Sequence, residues 1–310
     1  MTRPFFIDTD TGSDDAVALV IALTHSGIDV VGIGVVAGNV PLEFGVQNAL
    51  YTRELCERDD VPIYAGEAAP LQLPLTTAQN VHGTDGMGDI GLPLEGRIAD
   101  EGHAVDALLQ ASHNHAGDLT LVTLGPLTNV ARALERDPSL PDRVPRTVVM
   151  GAVADHVGNI TPVAEYNMWA DPHAVDAVLR SGLQLEFVGW DISRYHTVID
   201  SELAAELRAI GTKRAEFCVD INAVVAQFCA IETKLSGFDL PDPVTMAYAI
   251  DPLIATAARR LHLAVETESE LTRGMVVMDL LEFTDQPPNA LVVTAADRER
   301  FLDMLRAAIS

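Results

Sequence analysis

Between Phe5 and Ala16 an apolar run, Phe5-Phe6-Ile7, gives way to a turn that carries four aspartates, Asp8, Asp10, Asp14 and Asp15. Beyond it, Ala16, Val17, Leu19, Val20 and Leu23 have helical spacing. The pattern predicts a buried strand that feeds straight into a helix, with Ser13 as the N-cap. The same alternation recurs along the chain. Strands are expected over 29–36, 61–65, 119–124, 147–151, 185–188, 274–279 and 290–294. Helices are expected over 42–58, 103–115, from Gly125-Pro126 through Leu134, from Asp171-Pro172 onward, and over 200–210, 213–231, 244–249 and 296–308, with a break over 236–243. Strand–helix alternation of this kind predicts an α/β fold: a mostly parallel central sheet with helices on both faces. No linker, repeat or low-complexity stretch interrupts residues 1–310, so one domain is expected.

Four carboxylates in one turn repel one another, and an apolar strand behind them excludes the water that would screen them. A helix N-terminus favours one such charge, hardly four. A hard cation resolves the conflict, because Ca²⁺ accepts carboxylate and carbonyl oxygens in a flexible shell and Mg²⁺ takes fewer together with waters. The plainer alternative is helix capping on an acidic surface. A metal site accounts better for the density of acid. In parallel sheets ligands bind beyond the carboxyl ends of the strands, where Asp10 and the turn residue Asn39 are both expected.

The net charge of −25, from 20 basic and 45 acidic residues, argues against nucleic acid or an anionic membrane as partner. No apolar run approaches a membrane span, and the N-terminus carries no signal-peptide pattern, which together predict a cytoplasmic protein. Cys56, Cys218 and Cys229 lack metal-ligand spacing and read as reduced, buried thiols. Residues 66–100 are the least regular stretch, rich in Pro and Gly, and a loop that long in a compact fold is often functional. His82, beside Gly83, is a candidate pocket residue there. Asn159, Glu165 and Asn167 form a further hydrogen-bonding set suited to sugar hydroxyls.

Asp8-Thr9-Asp10-Thr11-Gly12-Ser13-Asp14-Asp15-Ala16 resembles the signature of the inosine–uridine-type nucleoside hydrolases, Ca²⁺-dependent enzymes that cleave the N-glycosidic bond of ribonucleosides. The resemblance extends through Gly38-Asn39, His82-Gly83, Leu124-Gly125-Pro126-Leu127-Thr128-Asn129, Gly158-Asn159, Glu165-Tyr166-Asn167, Asp171-Pro172, Asp242-Pro243 and Ile250-Asp251-Pro252. It implies a Rossmann-like nucleoside hydrolase fold, a ribonucleoside substrate, and a homodimer or homotetramer. By the same resemblance Asp10, Asp15, Asp242 and the carbonyl of Leu124 hold Ca²⁺, and Asp10 deprotonates a Ca²⁺-bound water. Asp14 and Asn39 bind ribose hydroxyls beside the metal, while Asn159, Glu165 and Asn167 hold the 3′ and 5′ side. These roles suit the chemistry, since carboxylates and amide oxygens favour the positive charge of an oxocarbenium-like transition state.

One position departs from the family. Many members carry a His immediately before the late metal-binding Asp, where it helps protonate the leaving base; here it is Pro241, which has no proton to give. His82, a stacking aromatic such as Trp190, Phe217 or Phe228, or a water are the candidates to replace it. Two other readings compete. A scaffold that binds a nucleoside or ribose with altered or lost turnover accounts for Pro241. A haloacid-dehalogenase-like phosphatase, with Asp8 as nucleophile and Asp10 as acid/base, accounts for the first motif but not for the later ones.

Overall fold

Strand β1 (Arg3–Thr9) is buried from Phe5 onward, and its side chains serve two cores. Phe5 and Ile7 face one apolar cluster and Phe6 the other, as the two-residue period of a strand requires. The computed structural model describes residues 2–154 and 157–310. The other strands of its eight-stranded sheet are β2 (Ile28–Val35), β3 (Ile63–Ala65), β4 (Thr120–Thr123), β5 (Arg146–Met150), β6 (Leu185–Val188), β7 (Ala255–Leu261) and β8 (Ala290–Ala296). Their spatial order is β3-β2-β1-β4-β5-β6-β8-β7. All neighbours run parallel except β7, which is antiparallel to β8. The expected α/β architecture is therefore present.

Helices cover both faces. On the Phe5 side lie α1 (Ser13–Thr24), α2 (Leu42–Leu55), α6 (Pro241–Ile250) and α7 (Arg298–Ile309). On the Phe6 side lie α3 (Ala104–Asn114), α4 (Thr128–Arg136) and α5 (Pro172–Leu179). Helix α1 is buried all the way from Ser13 to Leu23, which explains its nearly uniform apolar sequence. Gly34 of β2 leaves room where a Cβ would lie 2.9 Å from Asp8 Oδ1 and 3.0 Å from the methyl of Ala104, so the strand and α3 can approach.

Three local expectations are corrected. The N-cap of α1 is Gly12, not Ser13: the Asp15 carboxylate reaches back to accept the Gly12 N–H at 2.9 Å, which fixes the helix start one residue earlier. The single helix expected over 213–231 is divided into Lys213–Asp220 and Ala223–Phe228, followed by a π-helical turn, Cys229–Thr233. Helix α6 begins at Pro241, inside the expected break, because proline's fixed φ suits the first helical position. Strand β7 was not expected at all. Ala255-Thr-Ala-Ala-Arg-Arg-Leu has little strand propensity and an exposed face, and its pairing with β8 holds it.

Residues 66–100 contain one helical turn, Gln79–His82, and are otherwise irregular but tied down. Ala78 N–H donates to the Asn39 carbonyl at 2.9 Å, Leu71 N–H to Asp171 Oδ2 at 2.8 Å, and Asn48 Nδ2 to the Asp85 carbonyl at 2.9 Å. Among the described residues, no helix is long and apolar enough to cross a membrane.

Candidate active site

The chain leaves β1, builds β2 and β3 on one side, then returns to place β4 on the other, so the sheet switches direction between β1 and β4. Clefts for ligands form outside the carboxyl ends of strands at such a point. Asp10 follows β1 and Leu124 follows β4. Two helix N-termini also converge here. Asp14 and Asp15 stand in the first turn of α1, Asp242 stands in the first turn of α6, and the two helices pack on each other.

One oxygen from each of Asp14, Asp15 and Asp242 lies within 4.8 Å of the others, and all three residues are buried. Charges that close cost roughly 3 kcal/mol per pair at an effective dielectric of about 20. Burial first, then the neighbouring carboxylates, hold the carboxyls of Asp10, Asp14 and Asp242 well above the usual range. Protein donors satisfy only part of this charge. Asp15 accepts from Thr9 Oγ1 at 2.5 Å, from Gly12 N–H, and from Asn39 Nδ2 at 3.1 Å. Asp10 Oδ1 and Asp14 Oδ1 are buried with no hydrogen-bond partner. An all-oxygen set of clustered carboxylates with orphaned lone pairs fits a hard divalent cation.

Asp10 sits in a slot cut by two glycines. Its Oδ2 accepts the Asn39 N–H at 2.6 Å. A Cβ at Gly38 would lie 2.0 Å from that oxygen, and one at Gly125 would lie 2.7 Å from Oδ1. Asp8, by contrast, is held inside the sheet, its Oδ1 accepting Asn129 Nδ2 at 2.7 Å, and burial pushes its carboxyl up to about 7. Its bond to Asn129 holds it among the strands, away from the carboxylates of the turn, which counts against an Asp8 nucleophile.

Asp14, Asn39, His82, Leu124, Asn159, Glu165, Asn167 and Asp242 all line one cavity, with Asp10 and Asp15 bonded to Asn39 behind it. Asn167 is anchored by Nδ2 donating to the Leu124 carbonyl at 2.6 Å, which leaves that oxygen a second lone pair. Glu165 caps the short helix Tyr166–Ala170. It accepts the N–H groups of Asn167 at 2.9 Å, Ala152 at 3.2 Å and Met168 at 3.4 Å, while burial still pushes its carboxyl up to about 7. Asn159 Oδ1 accepts the Tyr166 N–H at 2.8 Å. His82 Nδ1 lies 3.0 Å from Ser13 Oγ and 3.6 Å from Asp14 Oδ1, and burial pushes the imidazole down to about 4, so it is neutral near pH 7.

The remaining wall is largely apolar: Ile160, Tyr166, Trp190, Val225 and Phe228. Of the aromatic candidates, Trp190 and Phe228 reach the cavity. Phe217 does not; its ring packs on Tyr51 with centroids 5.7 Å apart. Sequence reasoning missed Asp239, which lines this wall and is bonded to Ser193. Its only signal was an acid standing three positions before Asp242 in an otherwise apolar approach to α6.

Comparison with known proteins bears on the family. The family model described as inosine-uridine preferring nucleoside hydrolase matches residues 5–303. A pyrimidine-specific ribonucleoside hydrolase, RihA, of Shewanella sp. (strain MR-7) is 34% identical, covering 98% of this chain and 95% of its own. A plant nucleoside hydrolase superposes with a TM-score of 0.92 at 29% identity, over 100% of this chain and 99% of that one. A purine-preferring ribonucleoside hydrolase from Gardnerella vaginalis gives 0.91 at 29% identity, over 99% and 98%. The switch-point cleft, its carboxylate cluster and a match along nearly the entire chain place this protein in the inosine-uridine preferring nucleoside hydrolase family.

Proposed function

We propose that the chain hydrolyses the N-glycosidic bond of ribonucleosides to ribose and free base, with Ca²⁺ held by Asp10, Asp15, Asp242 and the Leu124 carbonyl. The observation that carries this reading is the group of carboxylates at the switch point, buried, mutually repelling and incompletely hydrogen-bonded. Asp14 is part of the same group and stands at the cavity surface, where it serves ribose hydroxyls beside the ion. A cation held there would orient a water and the ribose diol and lower that water's pKa. Asp10, tethered through Oδ2, has Oδ1 free to take the water's proton. Asn39, Asn159, Glu165 and Asn167 fix the sugar, and with the aspartates they surround it with oxygens that favour the developing positive charge. The apolar wall receives the base.

The experiment is ribose release from a panel of purine and pyrimidine nucleosides, before and after chelation and with Ca²⁺ restored. Chelator-sensitive release is expected. Binding of a nucleoside by the calcium-loaded protein with no ribose formed would instead favour the binding-protein reading.

A further inference from the structure

Cleavage of the glycosidic bond leaves an electron pair on a ring nitrogen of the base, and an unprotonated base is a poor leaving group. Position 241 offers no proton. Among the described residues, the other titratable groups that line the cavity are one source of that proton. Asp14 and Asp242 face the cation cluster, and His82 lies at the same end against Ser13 and Asp14. Glu165 is turned toward three backbone N–H groups, and the Tyr166 hydroxyl donates to the Thr76 carbonyl at 2.7 Å. Among the described carboxyl residues that line the cavity, Asp239 is the one with Trp190 and Cys229 as neighbours, and its charge also reaches Asp14.

Resting on the proposed hydrolysis, we propose that Asp239 is the acid that protonates the leaving base. Ser193 Oγ donates to Asp239 Oδ2 at 2.7 Å, and the Trp190 side chain bonds the same carboxyl, so its orientation is fixed. Oδ1 accepts from the Cys229 thiol, 3.8 Å away and a weak donor, so in this proposal it is the oxygen that delivers the proton. Asp239 is 4% exposed, and burial holds its carboxyl above the usual range against the opposing donations of Ser193 and Trp190 and the charge of Arg194. As the bond from C1′ to nitrogen breaks, its electron pair passes to the base and the Oδ1 proton follows. The water oxygen bonds to C1′ while Asp10 takes one of its protons. The new Asp239 carboxylate is stabilised by the Ser193 hydroxyl until product leaves, and proton exchange with solvent then resets both acids. No oxidant or further reactant is needed.

The test compares nucleosides with p-nitrophenyl β-D-riboside, whose nitrophenolate departs without a proton. In Asp239→Asn, kcat on nucleosides should fall about 100-fold or more while the nitrophenyl riboside changes by less than about 3-fold, the general-acid contribution alone being lost. Equal losses on both substrates, or an unchanged nucleoside rate, overturn the assignment. If that variant does not fold, Ser193→Ala decides. It should slow nucleosides several-fold and spare the nitrophenyl riboside, and a uniform effect or none overturns the proposal. Ribose release by the wild-type chain tests the parent reading separately.

Discussion

At the scale of single residues, the site separates groups whose work depends on charge from those that only need shape. Asp10→Asn keeps the volume and the contact with Asn39 but removes the base. We expect turnover to drop about 10³-fold in a variant that still folds, and a near-normal kcat would exclude Asp10 as the base. Glu165 makes a pH-dependent prediction with opposite signs for stability and binding. Its folded carboxyl titrates at about 7, above the ordinary 4.5, so the protonated form is favoured in the folded state. Stability contributed there is present at low pH and is lost as pH rises between those two values, by up to about 3 kcal/mol. On the proposed role of Glu165 as an ionised acceptor for sugar hydroxyls, KM should fall between pH 6 and 8. Glu165→Gln should flatten both differences, and parallel wild-type and variant profiles would refute the placement. Residues of this kind were legible in the sequence because their neighbours are local: Asp14 and Asp15 follow Asp10 in one turn, and Asn167 follows Glu165 by two. Asp239 was not, since what defines it, Ser193, Trp190 and Cys229, comes from other segments of the chain.

At the scale of elements, loops after the parallel strands set the catalytic geometry, and their glycines are required for space. Gly38→Ala would drive a methyl into the Asp10 carboxylate. We expect a loss of about 1–3 kcal/mol in urea melts, typical of overpacking. Activity should fall more than about tenfold, since the base is displaced. A variant with wild-type kcat would show that the loop yields without moving Asp10. Strands and helices with a buried, periodic pattern were readable in advance, from β1 and α1 through α7. Strand β7 was not, because its Ala-rich sequence has no strand signature and β8 imposes its conformation. The division of 213–231 was equally hidden. The run carries no proline or glycine, and what sets its end apart is the left-handed conformation of Lys234 just after the π turn.

At the scale of the whole molecule, cation binding and global stability are linked. On the proposed calcium site, removing the ion would leave the clustered carboxylates uncompensated, and a ligand present at about 1,000 times its Kd stabilises by about 4 kcal/mol. Chelation should therefore lower the melting temperature by several degrees, with recovery on adding Ca²⁺; an unchanged melt would count against a bound ion. Self-association is also expected. Leu281 and Phe283, two residues apart, are 72% and 85% exposed, apolar side chains costly to leave in water. Light scattering should give a mass above 33.2 kDa. Leu281→Glu with Phe283→Glu should lower it toward the monomer, and an unaltered mass would exclude that surface. The switch point has one more effect. Its cleft joins Asp10, Asn39, Leu124, Glu165 and Asp242, residues dispersed over most of the chain, and β8, which pairs with β6, is translated later still. A chain grown only to its first two hundred residues still lacks Asp242 and β8, so the cleft cannot be complete until late in synthesis.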